Sequence, residues 1–133
     1  MRVGLVNGCF DVLHVGHLKL FNFAKSHCDK LIVAIDSDVM VGMSKGKDRP
    51  FNNESDRCEM LINLKAVDET YVFYSHAELI DYCKQLKPDI HIVGSEYKDK
   101  YVVGGEHAKK LMFFDRHGDY STSNIIGNNK NGD

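Results

Sequence analysis

Apolar positions along the chain fall into short continuous runs separated by longer stretches with helical spacing. Val3 to Val6 forms a first run and ends at Asn7-Gly8, a turn signal. Leu18, Leu20, Phe21 and Ala24 then recur at helical intervals. Leu31 to Ile35 is a second run between Asp29 and Asp36, and its unbroken apolarity predicts a strand buried on both faces. Met43 to Asn53 is polar and basic, contains Gly46 and Pro50, and is predicted as a loop. Glu54 to Leu64 is predicted helical with Met60, Leu61 and Leu64 inward, Thr70 to Tyr74 as a strand, and Ala77 to Leu86 as a helix stopped before Pro88. Ile90 to Val93 and Lys110 to Phe114 complete the strands, and Ser121 is placed to cap a final short helix through Ile126.

Five strands alternating with helices predict an α/β domain with a doubly wound, mostly parallel sheet covered on both faces. Residues 1–126 are expected to form this single domain, and the Asn/Gly-rich residues 127–133 a disordered tail. In such sheets ligands bind beyond the carboxyl ends of the strands, where the strand order reverses. That directs attention to the segments after Val6, Ile35, Val93 and Phe114.

Composition narrows the class. The chain has 133 residues, 43% hydrophobic and 27% charged, as expected of one globular domain. Its formal net charge of −2 offers no general attraction for nucleic acid, so phosphate binding would need a local cluster of cations. No apolar run approaches the ~20 residues of a membrane span, and the N-terminal segment does not read as a secretory signal. Cys9, Cys28, Cys58 and Cys83 form no CxxC pair. The expectation is a cytoplasmic protein with reduced thiols.

The chemistry concentrates in Asn7 to His17, between the first strand and the first helix. Gly8 is expected to permit the turn, and Gly16 a close approach of ligand to backbone. His14 and His17, three apart, share one face of a helical turn. A helix N-terminus presents free N–H groups that suit phosphate, and two imidazoles there add donors. Zinc is the competing reading of the histidine pair, but a third ligand at a sensible spacing is missing.

Gly8-Cys9-Phe10-Asp11 with His14-Val15-Gly16-His17 resembles the GxFD…HxGH signature of the cytidylyltransferase-like nucleotidyltransferase superfamily. The resemblance continues along nearly the whole chain. Ser44 to Pro50, with Arg57 beyond, is similar to the basic loop and following helix of bacterial sugar-phosphate adenylyltransferases. Val93-Gly94-Ser95-Glu96-Tyr97-Lys98 is similar to their GGDYK segment, with Ser95 and Glu96 as departures. Gly118 to Ile126 is similar to their C-terminal GxSTTNII motif. Heptose 1-phosphate adenylyltransferase domains match best, followed by glycerol-3-phosphate cytidylyltransferases, to which Arg116 adds a point of likeness.

The resemblance implies a Rossmann-like fold of the HUP type and transfer of a nucleoside monophosphate to a phosphorylated sugar or alcohol, with release of pyrophosphate. It implies catalytic roles for His14, His17, Lys45 and Arg57, the last holding the β- and γ-phosphates. Gly8, Cys9, Phe10, Asp11, Gly16, Gly94, Glu96, Tyr97, Ser121 and Thr122 are implied at the nucleotide. Asp11, Asp36, Lys47 and Arg116 are implied at the acceptor, Asp11 aligning the substrate or its metal. Magnesium is expected on the triphosphate rather than on protein ligands, and a homodimer is expected. ATP with a sugar 1-phosphate leads, CTP with glycerol 3-phosphate is the alternative, and a nucleotide-binding module without catalysis is the alternative of another class. His27, His76, His91, His107 and His117 match no motif and are expected at the surface or as satisfied structural residues. A nucleophilic Cys9 is not expected, because no activating partner is in view.

Overall fold

The computed structural model describes residues 1–115. Within them the order is β1 (Val3–Gly8), α1 (Val15–Lys25), β2 (Lys30–Asp36), α2 (Asp38–Lys45), α3 (Glu54–Ile62), β3 (Glu69–Phe73), α4 (His76–Leu86), β4 (Ile90–Gly94), 3₁₀ turns at Ser95–Tyr97 and Gly105–His107, and β5 (Lys110–Phe114). The five strands form one sheet in the order β3-β2-β1-β4-β5. Every pairing is parallel. Arg116, Ser121, Thr122, the expected last helix and the expected tail lie outside the described residues.

The sheet is covered on both faces because its central strands carry apolar side chains toward both. In β2, Leu31, Val33 and Ile35 join one core cluster with Val6, Phe21, Ala24, Leu61, Ile90 and Ile92. Ile32 and Ala34 join a second with Leu5, Phe73, Leu79 and Cys83. Successive side chains of a strand point to opposite faces. Helices α1 and α3 therefore cover one face, and α4 the other with Met40 of α2. Burying each of these large aliphatic side chains contributes roughly 1.5–3 kcal/mol.

Three local expectations are corrected. Met43 to Lys45 is helical, the end of α2. Ser37 caps this helix by accepting from the Met40 N–H at 3.3 Å, and Val41 anchors it in the core. On α3 the inward residues are Arg57 and Leu61, whereas Met60 is exposed. Asn7 and Gly8 continue β1, paired with Ala34 and Ile35 of β2. The left-handed residue of the following turn is Phe10, at φ 48°. Among the described residues no helix is long and apolar enough to cross a membrane.

The topology sets the site. β1 lies between β2 and β4, and the chain leaves it toward α1 on one side while later strands add on the other. The crevice at its carboxyl end is the place where an open α/β sheet receives a ligand.

Candidate active site

Two cavities open at this edge. The larger, about 350 Å³, is lined by Gly8, Phe10, Asp11, His17, Arg49 and Glu96 among others. The second, about 330 Å³, reaches Asp36, Ser44, His76 and Tyr101. Asn7, Gly8, Cys9, Lys45, Val93 and Tyr97 line both, so the ends of β1 and β4 and the last residue of α2 form a shared wall.

The histidine pair is built into the start of α1. His14 is the N-cap: its Nδ1 accepts from the Gly16 N–H at 3.0 Å. His17 completes the box, its Nδ1 accepting from the His14 N–H at 3.1 Å. An imidazole nitrogen that accepts from a backbone N–H carries no proton. In the neutral ring the proton therefore sits on Nε2, and both residues become Nε2–H donors of fixed orientation. Their rings lie 4.0 Å apart. Phe10 stands edge-on to His17 and to Phe21, which joins the site to the core. A Cβ on Gly16 would come within 2.8 Å of the His14 ring, so the capping imidazole already requires glycine there. A Cβ on Gly8 would likewise meet the Phe10 ring at 3.0 Å.

Arg57, expected at the β- and γ-phosphates, is engaged here by the protein's own groups. Its side chain is wholly buried. Nη1 donates to the carbonyls of Cys9 at 3.0 Å and Asp36 at 2.8 Å, Nε to the Asn52 carbonyl at 3.0 Å, and Nη2 to Asp38 Oδ1 at 2.7 Å. The guanidinium joins the ends of β1 and β2 to the loop before α3, and it lines neither cavity.

Asp11 is similarly committed. Oδ2 accepts from the Phe51 N–H at 2.8 Å and from Arg49 Nε at 3.2 Å, and Oδ1 from the Asn52 N–H at 2.8 Å. The Asn52 side chain returns a bond to the Asp11 carbonyl at 2.7 Å. Burial raises the Asp11 carboxyl, but these donors outweigh it and hold it below the usual range. Both oxygens are engaged by the protein, and the carboxylate latches the loop before α3 to the turn after β1 at the wall of the larger cavity.

Lys45 is the contrast. It is exposed, lines both cavities, and makes no hydrogen bond or ion pair with any described residue. Asp36 lines the second cavity, and burial raises its carboxyl against the pull of His76, Arg57 and Lys45. Burial also raises the Cys9 thiol, which disfavours a thiolate nucleophile. All four cysteines are free. Gly94, Glu96 and Tyr97 line the larger cavity, with the Glu96 carboxylate folded over Gly94. Lys47 is exposed and lines neither cavity. Among the described residues no group of three or more His, Cys, Asp or Glu is placed to hold a metal ion.

The structure adds residues that were assigned no role from the sequence. His76, Ser44 and Tyr101 line the second cavity, Arg49 the larger and Asn7 both. His76 follows the carboxyl end of β3, so strand-end position was a usable signal for it. His27 Nδ1 lies 3.0 Å from the Phe23 carbonyl, and His107 lies 3.6 Å from Glu106. His91 is fully buried with Nδ1 unpartnered, against the expectation of a satisfied or surface residue. His117 lies outside the described residues.

Comparison with known proteins gives a consistent picture. The model of the cytidylyltransferase-like family matches residues 5–127. The chain is 41% identical over 125 residues to the bifunctional protein HldE of Helicobacter hepaticus, covering 94% of this chain and 26% of that protein. It is 43% identical over 127 residues to the bifunctional protein HldE of Nitratiruptor sp., covering 94% of this chain and 27% of that one. The chain thus spans about a quarter of the length of these curated relatives. Among solved structures, the lipopolysaccharide core biosynthesis protein from Thermoplasma volcanium superposes with a TM-score of 0.64 at 26% identity, over 77% of this chain and 80% of that one.

Proposed function

The chain belongs to the cytidylyltransferase-like family, and from that premise we propose that it transfers a nucleoside monophosphate from a nucleoside triphosphate to a phosphorylated small molecule and releases pyrophosphate. The observation that carries this is the pair of cavities meeting at Cys9 and Lys45, with the ordered His17 donor in one and the uncommitted ammonium between them.

The acceptor is itself the nucleophile. A phosphate monoester has its second pKa near ~6 and is mostly a dianion at neutral pH, so no general base is needed. One of its oxygens attacks the α-phosphorus, the bond to the bridging oxygen breaks, and pyrophosphate leaves with that electron pair. The barrier lies in bringing anions together and in charge on the α-phosphoryl oxygens, which positioned donors and cations lower. His17 and His14 donate Nε2–H to these oxygens, and Lys45 stands between nucleotide and acceptor phosphates. Gly94, Glu96 and Tyr97 border the nucleotide, and Asp36 with His76 faces the acceptor's polar groups. Ser121, Thr122 and Arg116 are proposed at phosphate on the motif alone.

Magnesium fits as an ion carried by phosphate oxygens and water, because the Asp11 oxygens are already engaged and, among the described residues, no group of three or more His, Cys, Asp or Glu is placed to hold a metal ion. When bound, it spreads the charge of the triphosphate and the leaving pyrophosphate. ATP and a sugar 1-phosphate of the heptose type are the proposed pair. The GSEYK and C-terminal motifs, and the relatives at 41–43% identity, support that choice. A homodimer in the cytoplasm is proposed on the resemblance, and sedimentation reads the oligomeric state.

The test is a pyrophosphate-release assay over four nucleotides and a panel of sugar 1-phosphates and glycerol 3-phosphate. ATP with a sugar 1-phosphate is expected to turn over fastest. CTP with glycerol 3-phosphate as the best pair would move the chain to the alternative, and no release with any pair from folded protein would contradict the proposal.

A further inference from the structure

His91 sits in the middle of β4, wholly buried, and no motif points to it. Its Nε2 lies 2.7 Å from Oδ1 of Asn7, while Nδ1 has no hydrogen-bond partner among the described residues. Asn7 is a wall residue of both cavities. Two arrangements of protons are possible for this pair. In one, His91 Nε2–H donates to Asn7 Oδ1 and leaves a bare lone pair on Nδ1. In the other, the Asn7 amide is reversed and donates to Nε2, and a buried Nδ1–H is left without an acceptor. A buried N–H without an acceptor is rarer than a buried acceptor without a donor, which favours the first arrangement. It turns the Asn7 NH₂ group away from β4, and that group has no hydrogen-bond partner among the described residues.

We propose that His91 is a positioning residue that locks the Asn7 side chain with its NH₂ group facing the wall shared by the two cavities, where it donates to a phosphoryl oxygen at the junction of nucleotide and acceptor. This inference rests on the transferase reading for its ligand, but not for its geometry. A freely rotating carboxamide would present its oxygen to an anion half the time. The buried imidazole removes that choice, and its neutrality matters because a ring protonated on both nitrogens would bury an unpaired charged donor. The reach of His91 into catalysis is thus through one hydrogen bond at the strand junction, from a residue that never touches substrate.

Two measurements test it on the full chain. The first is the ¹⁵N spectrum of the histidine side chains in the protein without ligand. It is expected to show His91 protonated on Nε2, bare on Nδ1 and unchanged from pH 8 to pH 6. Protonation on Nδ1 would mean that Asn7 turns its oxygen to the cleft, and would overturn the proposal whatever the enzyme's activity. The second uses the best substrate pair found for the native chain. His91→Leu is expected to lower kcat about tenfold or more with KM changed by less than threefold, a fraction of the effect of deleting a transition-state donor. His91→Gln, which can place an amide N–H near the Nε2 position, is expected to restore most of the rate. Equal kcat for His91→Leu and the native chain, or no rescue by a folded His91→Gln, would sink the proposal. If His91→Leu does not fold, the spectrum decides.

Discussion

Two groups of polar residues share the carboxyl edge of the sheet and are treated in opposite ways. Arg57 and Asp11 lie within the framework, and the protein's own groups engage Nε and both terminal nitrogens of the one and both oxygens of the other. Lys45 stands at the wall of two cavities with its ammonium uncommitted among the described residues. The histidines fall between: Nδ1 of each is spent on the helix start, and this is what orients Nε2. Residue type alone does not separate frame from chemistry here. An arginine buried against three carbonyls and a lysine open to solvent carry the same charge, yet only the second is placed to meet an anion.

That contrast can be broken by substitution. Arg57→Ala leaves the Cys9, Asp36 and Asn52 carbonyls and the Asp38 carboxylate without their donor, and is expected to cost about 3–5 kcal/mol in denaturant unfolding. Arg57→Lys keeps the charge but lacks the fork, so it should recover little of that stability. A fully stable Arg57→Ala would dissolve the distinction. Lys45→Ala and His17→Ala are expected to do the reverse for turnover. Each should slow pyrophosphate release about 100- to 1,000-fold. Lys45→Ala, at an exposed side chain, should shift unfolding by no more than about 0.5 kcal/mol. For His17→Ala, nucleotide affinity should fall far less than turnover, and equal losses in both would favour a binding module.

Acid sharpens the comparison. Burial pushes the His91 imidazole down to about 4 from 6.5, so between these values the unfolded chain takes up a proton that the folded chain refuses. Stability is therefore expected to fall as pH drops through that window, by roughly 3 kcal/mol for this group. In a folded His91→Leu chain this share of the slope should vanish. Asp11 is shifted in the same direction, with its folded carboxyl below the ordinary 3.8, so its contribution is present above that value and is lost only as pH falls further, in a lower window than that of His91. Asp11→Asn is expected to cost about 1–3 kcal/mol at neutral pH, because the carboxamide keeps an acceptor for only one of the Phe51 and Asn52 N–H groups and sets its own NH₂ against the other. A melting scan of both variants from pH 7 to pH 3 separates the two groups.

Much of the fold was legible because burial on both faces leaves a plain mark. The unbroken run Leu31 to Ile35 can only be a central strand, and the other four runs follow it. α2 was not legible: it is eight residues long, interrupted by Gly42, and fastened to the core mainly by Val41, so no apolar stripe announces it. At the site, spacing brought out the histidine pair and the basic loop. It gave no warning that Arg57 turns inward, because a buried guanidinium and a phosphate-binding one share one sequence signal. Asn7 passed as a turn residue, and His91 as one of the histidines expected at the surface or as satisfied structural residues. Their bond joins residues 84 apart in sequence, which no local pattern reveals.

The most direct measurement is a crystal structure of the chain with a non-hydrolysable triphosphate analogue. The account predicts phosphoryl oxygens within about 3 Å of His17 Nε2 and Lys45 Nζ, a hydrogen-bond distance, while Arg57 stays on the Cys9, Asp36 and Asn52 carbonyls. An Arg57 guanidinium released from those carbonyls to grip the phosphates, with Lys45 turned away, would contradict it.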